Sequence, residues 1–319
     1  MDLGGNGVVI LLAQYQIKKT MKEYSEINKS NKETIKNLNL DRILLPLDGS
    51  IESETSIPYA SMLSRWFNGE IMLLHVLPEN PIAAVERTGN VSYPDAQHDR
   101  GEILAKSYLE AIIDAITPQG IKARWGISTG SEYDMIISRS KSSHIGILTI
   151  STKIKSRIKR FFFNTLLDQI ISKTNLPLLV INSNNLNLET MKPSSPNVII
   201  TTINKTISQE NINRIISILI CSKAKLLFIN KKQKFINKNK ENILNPKLLD
   251  LIRQNNINYE ITNTENNVSS KINSIQNSDD NHWVLTISNN KKGLNGINQN
   301  NFAYEILKKS KFPVIILPE

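Results

Sequence analysis

A single cysteine, Cys221, stands in the 319 residues, so no internal disulfide can form and no cysteine-rich metal site can be built. A reducing compartment is expected. Long hydrophobic runs are also missing: the longest near the start, Val8 to Ala13, falls far short of the roughly 20 residues that a spanning helix needs. Asp2 precedes that run and Gln14-Tyr15-Gln16 follows it, against the charge order and small-residue cleavage site of a secretory signal. A cytoplasmic protein without membrane contact is the expectation. Histidine is scarce: His75, His98, His144 and His282 are scattered without metal-ligand spacing, so no metal is expected. Cys221 has no base near it in sequence to activate it. Neither a Gly-x-x-x-x-Gly-Lys-Ser/Thr loop nor a Ser-Gly-Gly-x-Asp-Ser loop occurs. With these templates absent, a non-enzyme is expected.

What is present describes a folded chain. Hydrophobic residues make up 40% and charged residues 21%, and the length suggests two domains, each able to bury its own core. The net charge of +10 invites a nucleic-acid or anionic-surface reading. However, 27 of the 38 asparagines lie after residue 183, and an Asn, Ile and Lys bias of this kind is also what AT-rich coding produces. No recognition helix or aromatic stacking platform accompanies the charge, so a nucleic-acid partner is not expected.

Residues 1–40 form an N-terminal extension, lysine-rich and weakly periodic from Lys18 to Asn39, which suits a loosely held helix or a mobile segment. Order begins at Asp41. Arg42 to Leu47 and Ile71 to Val76 are short apolar runs of the kind buried on both faces of a parallel sheet. Between them Ile57, Ala60, Leu63 and Phe67 recur at helical spacing, predicting a helix over 52–67 ended by Gly69. Pro78 to Arg100 reads as a loop and Ile103 to Ile116 as a helix. Further strands are predicted over 121–125, 145–150 and 178–181, with helices over 132–142 and 165–173. Residues 183–196 are polar, carry two prolines and read as a linker. The pattern then restarts from Val198 to Leu317 as an internal repeat. Alternating strands and helices imply an α/β fold of two Rossmann-like domains, each a parallel sheet covered on both faces, with ligands at the carboxyl ends of the strands.

Several stretches carry a family resemblance. They are Ile43 to Ser50, Ile57-Pro58-Tyr59-Ala60, Leu73-Leu74-His75-Val76, and Ile147 through Phe161-Phe162-Phe163-Asn164-Thr165 to Val180. In their order and spacing, residues 41–182 resemble the universal stress protein (UspA-like) family. Residues 197–319 echo them as a degenerate second copy, so the whole chain resembles the tandem form. The resemblance implies adenine nucleotide alpha hydrolase-like domains of five parallel strands, dimerisation through the last strand, and in many members ATP bound without strong catalysis. Related nucleotidyl transferases and ATP pyrophosphatases supply the enzymatic alternative.

The family's ATP motif is Gly-x-x-Gly, nine residues, then Gly-Ser or Gly-Thr, in which backbone amides close on phosphate at a helix start. The matching positions here are Ser151, Ile154, Asn164 and Thr165, of which only Thr165 fits. Lys153, Lys155, Arg157, Lys159 and Arg160 place five cations in eight residues, offering charge to a polyphosphate where glycine amides are lost; the other reading is a solvated loop with no ligand. Asp48 matches the carboxylate that contacts the adenosine part in ATP-binding relatives, or else simply turns the chain as an Asx turn or cap. Val76 matches the position whose backbone faces adenine, or else packs the core. Asn164 and Lys153 are weaker candidates. ATP is thus a doubtful cofactor. In the second copy Asn204 replaces the acid, and Ile287, Asn290, Asn300 and Asn301 replace the phosphate motif, with Gly293 and Gly296 out of register. That copy is expected not to bind. The apolar last strands, Leu178 to Ile181 and Val314 to Leu317, would be hazardous open edges, which predicts a pseudo-dimer of the two domains or a homodimer between chains. A rival reading is a protein-interaction module that has lost nucleotide binding and docks partners through loops 78–100 and 231–245.

Overall fold

In a computed structural model of the chain, the described residues are 40–79, 84–85, 91–92, 94–152, 166–183, 195–201, 207–231, 244–265, 268–276, 281–288, 306–307, 310 and 312–318. The expected N-terminal extension, the basic segment 153–160, most of the linker and most of the 231–245 loop lie outside them.

The apolar runs become strands. The first half contains β1 (Arg42–Pro46), β2 (Glu70–Leu77), a two-residue pair β3 (Ala84–Val85) and β4 (Val91–Ser92), then β5 (Lys122–Thr129), β6 (Ile147–Thr152) and β7 (Leu178–Asn182). The second half repeats them as β8 (Val198–Thr201), β9 (Lys225–Lys231), β10 (Tyr259–Thr264), β11 (His282–Ser288) and β12 (Val314–Pro318). Within each half the five main strands pair only in parallel, in the order β7-β6-β1-β2-β5 and β12-β11-β8-β9-β10. The halves meet at β7 and β12, which pair antiparallel with Val180 opposite Val314 and Leu178 opposite Ile316, so ten strands form one sheet. Every residue of both seam strands is buried.

Between the strands lie α1 (Ile51–Glu54), α2 (Ile57–Phe67), α3 (Pro94–Ile116), α4 (Glu132–Ser142) and α5 (Leu166–Lys173), then α6 (Gln209–Ser222), α7 (Pro246–Gln254) and α8 (Val268–Gln276). Right-handed crossovers put α2 and α3 on one face of the first half, α4 and α5 on the other. One apolar cluster runs beneath the second face from Leu44, Ile136 and Ile170 in the first half to Ile272, Val314 and Ile316 in the second. On the opposite side α2 contacts α6. There Trp283 of β11 packs against Tyr59 and Trp66 of α2, with ring centroids 5.8 and 5.6 Å away. Asn182 also donates from Nδ2 to the Leu307 carbonyl, 2.8 Å.

Three elements differ from the sequence expectation. The helix predicted over 52–67 is two helices, because Pro58 has no N–H and its ring crowds the carbonyl four residues back; α2 therefore restarts with Pro58 in its first turn. The loop predicted over 78–100 ends early. Proline is well placed at the first position of a helix, and α3 starts at Pro94 rather than at Ile103. Gly69 does not supply the left-handed residue after α2; Asn68 does, at φ 50°. Glycine is needed at 69 because a Cβ there would stand 2.3 Å from the Asp41 carbonyl oxygen.

Sheet register equates the two halves residue by residue. Ile43 faces Ile147 and Ile71 on its two sides, as Ile199 faces Trp283 and Leu226. Counting onward in sequence from Ile43 and Ile199 sets Asn204 against Asp48. Likewise Ser151 pairs with Ile181 and Ile287 with Leu317 at matching places, so isoleucine occupies in the second half the position of the Ser151 hydroxyl.

Candidate functional site

At the carboxyl end of β1 the chain must turn sharply out of a strand that is buried from Ile43 onward. Gly49 makes that turn with φ 82°, a conformation a side chain would strain. The exposed Asp48 carboxylate closes it, accepting from the Ser50 N–H at 2.9 Å and the Ser50 hydroxyl at 2.6 Å. Ser50 in turn caps α1, its Oγ accepting from the Ser53 N–H at 3.1 Å. The Asp48 N–H reaches the Ser53 Oγ at 3.4 Å. Burial would raise the Asp48 carboxyl, but the hydrogen bonds from Ser50 and Ser53 outweigh it and hold the group below its ordinary range. Asp48 is thus both a turn residue and an exposed carboxylate held by its own corner.

The turn between α1 and α2 ties this corner to β6. Thr55 and Ser151 share a hydrogen bond between their hydroxyls at 2.6 Å, and the Thr55 hydroxyl also reaches the Glu52 carbonyl at 2.7 Å. Ser151 is half-buried. Asp48, Ser50, Ser53, Thr55 and Ser151 therefore form one polar edge across the ends of β1 and β6.

On the other flank, β2 brings His75 and Val76. Val76 is half-buried, packs against the core cluster, and pairs with Ser128 of β5. Ser128 accepts from Arg139 at 3.1 Å. The His75 Nδ1 lies 2.7 Å from the Leu47 carbonyl oxygen; a carbonyl only accepts, so Nδ1 carries the proton. This bond holds the backbone immediately before Asp48. The His75 ring meets Tyr108 of α3 edge-on, with centroids 6.1 Å apart. Burial, then a hydrogen bond with Glu54 and the Glu54 and Asp48 charges, push the Tyr108 hydroxyl far above the usual range against a smaller opposing hydrogen bond with Ser53, so it stays neutral. Glu132, at the start of α4, is pushed up by desolvation of its carboxyl and then by the Asp48 charge. The described part of the edge is acidic although the chain is basic.

Of the six candidate residues, the structure brings Asp48, Val76 and Ser151 to one end of the sheet. Thr165, Asn164 and Lys153 lie outside the described residues, as do Asn204, Asn290, Asn300 and Asn301. Reasoning along the sequence missed Thr55 and Tyr108: neither sits in a motif, and a hydroxyl at helical spacing carries no signal until the helix is docked. Among the described residues no group of three or more His, Cys, Asp or Glu could hold a metal ion. No helix of those residues is long and apolar enough to cross a membrane.

Comparison with known proteins gives a family and a fold. The model of the universal stress protein family matches residues 39–182. A universal stress protein of Methanocaldococcus jannaschii is 23% identical over 155 residues, covering 45% of this chain and 96% of the relative. Among solved structures, a universal stress protein from Archaeoglobus fulgidus is similar with TM-score 0.65 and 14% identity, over 88% of this chain and 98% of that one. A structure from Pseudomonas aeruginosa described as a universal stress protein follows at TM-score 0.57 and 13% identity, over 88% and 93%. These structural likenesses extend through both halves and show the Rossmann-like fold. Residues 39–182, a little under half of the chain, match the universal stress protein family, and both halves share the fold of solved universal stress proteins.

Proposed function

We propose that the first domain is a non-catalytic binding module that takes an adenine nucleotide, weakly, at the carboxyl edge of β1, β2 and β6, and that the chain acts as a regulatory stress protein in the cytoplasm. The observation that supports this reading is the Asp48 turn, which keeps an exposed carboxylate, held below its ordinary range, at the ligand end of a parallel sheet. The family's adenosine-contacting acid falls at this position. The domain's glycine-poor phosphate motif argues for low affinity, since Ser151 stands where the first glycine would be and already shares its hydroxyl with Thr55. Calorimetric titration of the full chain with ATP tests the reading. Affinity in the micromolar range or weaker, abolished by Asp48→Ala, is expected; submicromolar affinity indifferent to that substitution refutes it.

The second domain is proposed as a packing partner. Ile287 at the Ser151 position lacks the hydroxyl and Asn204, counted to the Asp48 position, lacks the negative charge, while β12 covers the β7 edge that would otherwise lie open. The chain then works as an internal pseudo-dimer, monomeric in solution. If ATP does not bind at all, the alternative is a nucleotide-independent interaction module on the same fold.

A further inference from the structure

Among the described residues, the large apolar side chains left exposed are Ile51, Ile103 and Leu104, at 69%, 65% and 71% exposure. All three gather at one end of the first half. Ile51 opens α1 directly after the turn that ends β1. A Cβ at Gly101 would stand 3.6 Å from Leu77 at the end of β2, so this turn of α3 lies at the carboxyl edge of the neighbouring strand. Tyr108 of α3 interacts with Glu54 and Ser53 of α1, which ties the two elements together. Residues three or four apart share a helix face, and so Ile51, one turn before Glu54, and Leu104, one turn before Tyr108, flank the same contact. The fold does not need them there. Isoleucine is a poorer helix former than lysine or glutamate, and α3 is anchored instead by Ala105 and Leu109, at 4% and 0% exposure. Single exposed apolar side chains are ordinary, whereas a group on adjoining elements marks an interaction site.

We infer that this ridge docks a basic amphipathic helix of a partner protein. Size and charge select that occupant. Three anchors are too few for the roughly 800 Å² per side that a standard interface between two folded surfaces buries, which argues against a second copy of the chain. An amphipathic helix, in contrast, docks through a short row of apolar anchors one turn apart. Stretches 48–54 and 99–110 carry Asp48, Glu52, Glu54, Asp99, Glu102 and Glu110 against Arg100 and Lys106, and Glu110 stands 4.0 Å from Lys106. The ridge is therefore set in acidic sequence within a chain of net charge +10. Charge of one sign around an apolar contact speeds docking of the opposite sign and rejects its own. The docking is independent of the nucleotide reading above.

The test titrates the full chain, by fluorescence anisotropy, with a labelled helical peptide of lysine on one face and leucine on the other. The controls are a scrambled peptide of the same composition and a version with glutamate for lysine. The amphipathic basic peptide is expected to bind at least about tenfold more tightly than either control, and Ile103→Ser with Leu104→Ser to weaken it by about tenfold or more, the loss of two apolar anchors. Ile51→Ser, on the other element, weakens it as well. Both variants keep the wild-type melting temperature, because the replaced side chains are exposed. Equal binding of the scrambled or acidic peptide, or affinity indifferent to these substitutions, overturns the inference. A wild-type dimer in sedimentation that the double substitution dissolves also overturns it, because a second copy then covers the ridge.

Discussion

The contact between Trp283 and α2 offers the sharpest test of how the two halves are joined. Trp283 has 0% exposure and belongs to the second half, yet its two ring partners, Tyr59 and Trp66, belong to the first. Replacing a buried tryptophan with alanine costs about 3–5 kcal/mol in lost transfer energy and cavity. Each aromatic pair adds about 0.5–1.5 kcal/mol beyond area burial. Because the cavity and pair terms overlap, Trp283→Ala is expected to cost about 5 kcal/mol in all, a large share of the roughly 5–15 kcal/mol that keeps a domain folded. Urea unfolding followed by circular dichroism measures it. With an m-value near 3 kcal/mol/M the midpoint falls by more than about 1 M. Ile103→Ala, on a side chain that is 65% exposed, is the control and stays within about 0.5 kcal/mol. The reasoning also predicts that both halves feel the loss, since α2 loses its packing partner. A cost below about 1.5 kcal/mol, or a two-step curve in which only one step moves, refutes it.

Two further predictions concern the first half. Gly69→Ala places a Cβ 2.3 Å from the rigid Asp41 carbonyl oxygen, so the backbone must shift; a loss of about 2 kcal/mol is expected from overpacking, whereas a neutral result in the same urea assay contradicts the close approach. The Asp48 carboxyl is held below its unfolded value near 3.8, so its contribution to stability is complete above that pH and disappears as the pH falls through the lower folded value. Asp48→Asn should therefore flatten the loss of stability below about pH 4, and an unchanged acid limb would exclude Asp48 from it.

Much of the architecture is legible in the chain because local physics repeats it. Ile43 to Leu45 and Ile71 to Leu74 are unbroken apolar runs because both faces of a parallel strand are covered, and helix 132–142 is announced by its Ser131 cap and the acids of its first turn. Asp48-Gly49-Ser50 could be read equally as a turn or as a ligand corner; the structure shows the turn, and the ligand corner is a proposal. What was not legible is non-local. Nothing near Tyr108 in sequence says that its hydroxyl will lie beside Asp48, sixty residues earlier, and nothing near Thr55 points to Ser151. The early start of α3 was hidden because Pro94 and Gly101 look like loop residues, although proline serves well at a helix start.

By itself, the sequence determined the order of strands and helices, their repetition, and the turn at which an acid could face a ligand, because those depend on apolar period, caps and glycine within a few residues. Only the tertiary structure decided that β7 and β12 join antiparallel into one ten-stranded sheet. Only it placed Trp283 of one half on α2 of the other, and set the Tyr108 ring against His75 near the Asp48 corner. Contacts between residues far apart in the chain are chosen by whole-surface burial and hydrogen-bond satisfaction, and no local pattern encodes either.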